Sequence, residues 1–135
     1  MLKIDHVAMY VNNLEAEKEF FEKYFNAKAG SKYSNFRNDF SNYFLRFDDG
    51  SRLEIMTRSS SADPAKVRYR TGYHHIAISV GDRKDVDDMM KKFDAAGVIV
   101  VSGARTTGDG YYAAVVVDPE GNEIEIIAEN PGLRD

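Results

Sequence analysis

The segment Ile4-Asp5-His6-Val7-Ala8-Met9-Tyr10-Val11 alternates and is rich in β-forming side chains, which predicts a strand over residues 4–11. The pattern then changes period. Phe20, Phe21, Tyr24 and Phe25 recur at helical spacing after a cap candidate, Asn12 or Asn13, and acids at Glu15, Glu17 and Glu19 suit a helix start. A helix over Leu14–Phe25 follows from this. Three short strands are expected next, at 29–33, 43–47 and 52–57, the last two joined by the hairpin signal Asp48-Asp49-Gly50. Further along, a strand is predicted at 75–80 and a helix at 85–96, with Val86, Met89, Met90 and Phe93 on one face and Gly97 as its end. Strands at 98–101, Tyr112–Val117 and Glu123–Ala128 complete the chain, with a Gly/Thr loop at 102–110 and a turn at Pro119-Glu120-Gly121.

The same order of elements occurs twice, and the residues repeat with it. Asp5-His6-Val7-Ala8-Met9-Tyr10-Val11 aligns with His74-His75-Ile76-Ala77-Ile78-Ser79-Val80, 69 positions later. Asp49-Gly50-Ser51-Arg52-Leu53-Glu54-Ile55 aligns with Glu120-Gly121-Asn122-Glu123-Ile124-Glu125-Ile126, 71 positions later. The chain therefore reads as α+β, two tandem βαβββ modules at 1–57 and 73–130, joined by a linker at 58–72. The linker carries Arg58, Lys66, Arg68 and Arg70 and reads as a solvated connector, or alternatively as a basic flap for an anionic substrate.

Alternation also places the polar residues. His6, Ala8 and Tyr10 share one face of the first strand; His75, Ala77 and Ser79 share the matching face of its copy. Glu54 lies opposite Leu53 and Ile55, and Glu125 opposite Ile124 and Ile126. His6, Glu54, His75 and Glu125 thus point away from the helix-packing side from equivalent positions, whereas His74 falls on the helix side and takes a structural role. A lone strand histidine is ordinarily a hydrogen-bonded structural residue. Four ligand-type residues at repeat-related positions are a different matter. Two imidazoles with two carboxylates suit one divalent ion such as Zn, Ni, Co, Mn or Fe, and open positions leave room for substrate.

Composition narrows the chemistry further. The 135 residues contain no cysteine, which excludes disulfides, thiolate metal sites and a thiol nucleophile. The net charge of −4, with scattered lysines, gives no basic stripe for nucleic acid. There is no signal-peptide pattern and no apolar run of membrane-spanning length, so a cytoplasmic location is expected.

With Asp5-His6-Val7-Ala8, Leu53-Glu54-Ile55, His74-His75-Ile76-Ala77-Ile78-Ser79-Val80 and the ending Asp118-Pro119-Glu120-Gly121-Asn122-Glu123-Ile124-Glu125-Ile126, the sequence resembles the vicinal oxygen chelate (glyoxalase/bleomycin resistance/dioxygenase) superfamily over nearly its whole length. The resemblance implies paired modules in a concave mixed sheet around a metal cleft, with His6, Glu54, His75 and Glu125 as ligands, and a homodimer. The two-His, two-Glu set most resembles glyoxalase I. It implies an isomerase or lyase that abstracts a proton next to a carbonyl by way of a metal-stabilised enediolate, with Glu125 as base and Glu54 as the second carboxylate. Alternatives are a non-catalytic small-molecule binding or resistance protein, an epimerase or a dioxygenase. Glutathione-using members carry a basic residue four positions after the first histidine, where this chain has Tyr10. They carry an asparagine shortly after the first-module glutamate, where it has Met56-Thr57-Arg58-Ser59. The expected partner is therefore a small carbonyl-containing molecule that need not carry glutathione, contacted by Tyr10, Arg58, Arg105 and Tyr111, with Tyr112 nearby. Ligand type leaves open which metal is used, and whether the ligands come from one chain or two.

Overall fold

The computed structural model describes residues 1–130 and divides into two compact units, Met1–Ala65 and a second from Lys66 onward. The first unit contains β1 (Val7–Tyr10), α1 (Leu14–Phe25), β2 (Lys28–Ala29), β3 (Tyr33–Asn35), β4 (Phe40–Arg46) and β5 (Arg52–Arg58). The second contains β6 (His75–Gly81), α2 (Arg83–Ala96), β7 (Val100–Thr106), β8 (Tyr112–Val117) and β9 (Glu123–Ala128). The sheets run β1-β5-β4-β2, with β3 also on β4, and β6-β9-β8-β7. In each, the first strand pairs in parallel with the last and the remaining pairs are antiparallel, so the topology is repeated. None of the described helices is long and apolar enough to cross a membrane.

Each helix covers the apolar face of its own sheet. Phe21 of α1 is fully buried with Leu45 and Ile55 of β4 and β5; Val86 and Phe93 of α2 are fully buried with Val116, Ile124 and Ile126. The caps follow from side-chain chemistry. Asn13 Oδ1 accepts from the backbone N–H of Ala16, and Asp82 and Asp85 form a reciprocal capping box on α2. The Asp-Pro-x-Gly-Asn motif also has a physical basis. The buried Asp118 carboxylate accepts from the backbone of Glu120 and Asn122 and from Asn122 Nδ2, while Gly121 takes φ +84° in the turn.

Four details differ from the sequence expectations. The first strand starts at Val7 rather than residue 4; β5 begins at Arg52, one residue before Val7's partner Leu53, which leaves Ile4 and Asp5 no ladder to join. The strand expected at 29–33 is two short ones, β2 and β3, each bonded to a different stretch of β4. The strand expected at 98–101 runs instead from Val100 to Thr106, into the segment expected as a loop. Two register shifts along β7 insert extra residues against β8 and erase the alternation that sequence reading depends on. His74 does not face a helix: β6 begins at His75, so His74 precedes the strand and escapes its alternation.

Candidate active site

In the first unit, Ala8 of β1 pairs with Glu54 of β5, so His6, two residues earlier, has its side chain on the same face as Glu54. His6 Nε2 lies 3.2 Å from Glu54 Oε1. The opposite ring nitrogen is also engaged, as His6 Nδ1–H donates to Asp5 Oδ2 at 2.8 Å. Arg52 Nη2 donates to the same Asp5 oxygen at 2.6 Å. The hydrogen bond from His6, reinforced by the Arg52 charge, holds the Asp5 carboxyl below its usual range. Phe44, the cross-strand partner of Glu54, meets the His6 ring edge-on at 5.1 Å and carries the Arg52 guanidinium over its face at 4.7 Å. The buried Asn42 amide donates to Glu54 Oε2 at 2.6 Å, leaving Oε1 as the oxygen turned to His6.

In the second unit, Ala77 pairs with Glu125 as Ala8 pairs with Glu54, so His75 stands to Glu125 by register as His6 does to Glu54. His75 is the first residue of β6 and pairs with Glu123. Its Nδ1 lies 2.6 Å from His74 Nδ1, and the two rings are nearly perpendicular, 4.9 Å apart. His74 Nε2 is 3.4 Å from Glu123 Oε2, and Arg68 Nε is 3.2 Å from the same oxygen. Glu125 lacks an amide like Asn42. The β8 position corresponding to Asn42 is Ala113, that corresponding to Phe44 is Val115, and the Glu125 carboxylate takes no hydrogen bond or ion pair among the described residues.

The donor chemistry of these pairs fits a divalent cation. His6 Nε2 and Glu54 Oε1, 3.2 Å apart, can each offer a lone pair to one cation. Two donors each about 2.1 Å from one ion, at roughly a right angle, lie about 3 Å apart. Among the described residues, no three His, Cys, Asp or Glu side chains are grouped so as to hold a metal ion. Each unit carries one His and one Glu at equivalent register, and only His6 and Glu54 are seen in contact among the described residues.

The other expected site residues fare differently. Tyr10 ends β1 half-exposed on the His6 face. Arg58 ends β5 on the Glu54 face, its guanidinium 5.4 Å from the Phe40 ring centre. Arg105 Nε donates to Ser102 Oγ on β7 itself. Tyr111 closes the β7–β8 hairpin through its backbone, which exchanges hydrogen bonds with Thr107. Tyr112 is drawn to α2, its hydroxyl donating to Asp87 Oδ1 at 2.5 Å under the Arg83 guanidinium. The linker is not simply solvated. Lys66 Nζ donates to Asn122 Oδ1 at 2.7 Å and Arg68 binds Glu123, so both cations tie the linker to the β8–β9 turn around a small cavity of about 70 Å³ that Arg70 also lines.

Sequence reasoning missed Asp5, Arg52 and Asn42 in the first unit, and Arg68, Glu123 and the His74–His75 contact in the second. Adjacency to His6 and His75 was the available signal for Asp5 and His74. Asn42 and Arg52 required the strand register.

The family model for the Glyoxalase/Bleomycin resistance protein/Dioxygenase superfamily matches residues 3–126. The chain is 27% identical over 126 residues to the uncharacterized protein YqjT of Bacillus subtilis, covering 91% of this chain and 96% of that protein. It is 26% identical over 125 residues to a probable lactoylglutathione lyase of Vibrio cholerae, covering 93% of this chain and 89% of that one. Its fold superposes on the Listeria monocytogenes fosfomycin resistance protein FosX, solved with Mn(II) and sulfate, with a TM-score of 0.75 at 20% identity, covering 99% of this chain and 98% of that one. Repeated topology, repeated motifs and a family match across nearly all of its length agree: the chain belongs to the glyoxalase/bleomycin resistance/dioxygenase superfamily.

Proposed function

We propose that this protein is a divalent-metal-dependent isomerase or lyase that shifts a proton between adjacent carbons next to a carbonyl. In this reading His6, Glu54, His75 and Glu125 hold the ion, which supplies Lewis-acid polarisation of a neighbouring carbonyl oxygen. The observation that supports it most is the difference between two carboxylates at equivalent register. Glu54 is anchored through Asn42, whereas Glu125 takes no hydrogen bond from the described residues. An anchored carboxylate suits a fixed ligand. One without such an anchor can swing to take a proton from the hydroxyl-bearing carbon and return it to the neighbouring carbonyl carbon. The first carbon becomes the carbonyl as its hydroxyl proton passes to the neighbouring oxygen, and the second carbon gains the hydrogen, so the product is an isomer with no atom gained or lost. Tyr10 and Arg58, on the same faces as His6 and Glu54, flank the substrate.

The test is solvent exchange in D₂O. The protein, loaded with each of Zn, Ni, Co, Mn and Fe(II), is mixed with 2-oxoaldehyde–thiol adducts and simple 2-hydroxy ketones, and deuterium at the carbon next to the carbonyl is followed by NMR. Exchange by the native protein and a loss of about 10²–10⁴-fold in Glu125→Gln, with ligand binding retained, are expected. Exchange that survives Glu125→Gln contradicts the role of Glu125. Binding without exchange before and after the substitution identifies a binding protein instead.

A further inference from the structure

We propose that the cavity between the linker and the β8–β9 turn is a binding site for a phosphate-type oxyanion, with Lys66 and Arg70 as its cationic arms. Taken with the isomerase reading, on which this second step rests, it makes the substrate a phosphate ester of a small hydroxy ketone.

The site lies wholly within the second unit. Its cavity of about 70 Å³ is lined by three cations, Lys66, Arg68 and Arg70, against one carboxylate, Glu123. The cations are not equivalent. Arg68 Nε lies 3.2 Å from Glu123 Oε2, so its charge is matched and it pins the linker to β9. Lys66 Nζ donates instead to a neutral acceptor, Asn122 Oδ1, at 2.7 Å. Arg70 Nη1 reaches only the carbonyl oxygen of Thr71, at 3.5 Å. Among the described residues neither Lys66 nor Arg70 pairs with a carboxylate, in a chain whose net charge is −4. Two unmatched positive charges, with most of their N–H donors unused, therefore line one cavity.

The surroundings hold these groups in place. The buried Asp118 carboxylate accepts from Asn122 Nδ2 at 2.8 Å, which turns Asn122 Oδ1 toward Lys66. The backbone N–H of Arg70 donates to the Val67 carbonyl at 3.3 Å and closes a turn in the linker. Gly72 follows at φ +110°, a conformation that only glycine takes readily, and a Cβ there would lie 3.4 Å from Arg70 Nη1. A phosphate monoester suits this arrangement. Its charge of roughly −1.5 to −2 meets two cations, and its oxygens accept from a guanidinium fork and an ammonium together. A carboxylate brings a single charge to the same two groups. The cavity also adjoins the proposed chemistry. Glu123, in its wall, shares a face of β9 with Glu125, about 7 Å away along the strand. That spacing suits a phosphate a few bonds from the carbons between which Glu125 is proposed to move a proton.

The first experiment titrates inorganic phosphate alone into metal-free native protein by calorimetry, with acetate at equal ionic strength as the comparison. Saturable phosphate binding is expected, about 10-fold or more tighter than acetate, and weakened about 10-fold or more in Lys66→Ala and in Arg70→Ala. Lys66→Arg keeps the charge and is expected to retain binding. Both side chains are exposed, so the variants are expected to fold, which thermal unfolding checks. No saturable phosphate binding by the native protein overturns the proposal, as does acetate bound as tightly or phosphate bound unchanged by both alanine variants. The second experiment loads the protein with Zn(II) or Mn(II) and follows deuterium uptake from D₂O by dihydroxyacetone and by its monophosphate. A KM about 10–100-fold lower for the monophosphate, lost in Lys66→Ala with kcat little changed, is expected. Phosphate bound without exchange of either ketone sustains the oxyanion site and removes the isomerase reading. Exchange of both ketones at equal KM overturns the phosphorylated substrate and leaves the isomerase reading standing.

Discussion

Asn42 donates a 2.6 Å hydrogen bond to Glu54 Oε2, and the position that corresponds to it in the second unit is Ala113. One amide therefore separates two carboxylates that the repeat otherwise makes equivalent. Asn42→Ala strips a partner from a carboxylate whose side chain is only 12% exposed. The expected loss is about 1.5–3 kcal/mol of stability, read by urea denaturation. Metal affinity is expected to fall about 10–100-fold, read by calorimetry. An unchanged affinity would mean that Glu54 is not held for an ion.

A second prediction concerns pH. The Tyr43 hydroxyl donates to both Glu15 oxygens, at 2.6 and 3.0 Å. That bond to a carboxylate pushes Tyr43 from 10.0 up to about 12 and holds Glu15 below its usual 4.5. Tyrosine with a raised folded pKa stabilises the fold below pH 10, and that contribution disappears between about 10 and 12. Glutamate with a lowered folded pKa stabilises the fold above its unfolded value of 4.5, and its contribution is lost as pH falls through the folded value. The stability gap between the native protein and Tyr43→Phe should be widest on a plateau from about pH 5 to pH 10 and close on both sides. Thermal unfolding across pH 3–11 measures it, and a gap independent of pH contradicts the pairing.

Gly81 links β6 to α2 at φ +124°, where a Cβ would lie 2.2 Å from Asp85 Oδ2 and 2.9 Å from its Cγ. The Asp85 carboxylate is the half of the capping box that accepts from the backbone N–H of Asp82. Gly81→Ala therefore meets both a strained backbone and a displaced cap, with an expected cost of about 1–3 kcal/mol in denaturant unfolding. A neutral substitution would mean that the junction can rearrange freely.

Strongly periodic segments were legible from sequence, and cross-strand chemistry was not. Leu14–Phe25, Tyr112–Val117 and Glu123–Ala128 have their expected bounds, because apolar spacing, caps and turns agree there. Alternation together with the repeat placed His6 and Glu54 on one face, and they meet at 3.2 Å. Alternation fails where the period breaks. Extra residues inserted along β7 hid a strand inside a Gly/Thr segment, and His74, one residue outside β6, was assigned to the wrong face. Asn42 and Arg52 act through register, which depends on the turn at Asp48-Asp49-Gly50 and on the parallel β1–β5 pairing. The turn is legible as a hairpin signal, but no local pattern fixes the register it sets or announces the parallel pairing.

In the function proposed above, His6, Glu54, His75 and Glu125 hold one divalent ion. Its most direct measurement is the metal stoichiometry of purified protein, stripped by chelator and then reloaded. One divalent ion per chain is expected in the native protein, with binding weakened by His6→Ala and by His75→Ala alike. A chain that takes up no stoichiometric ion after reloading, or that binds one unaffected by either substitution, would contradict it.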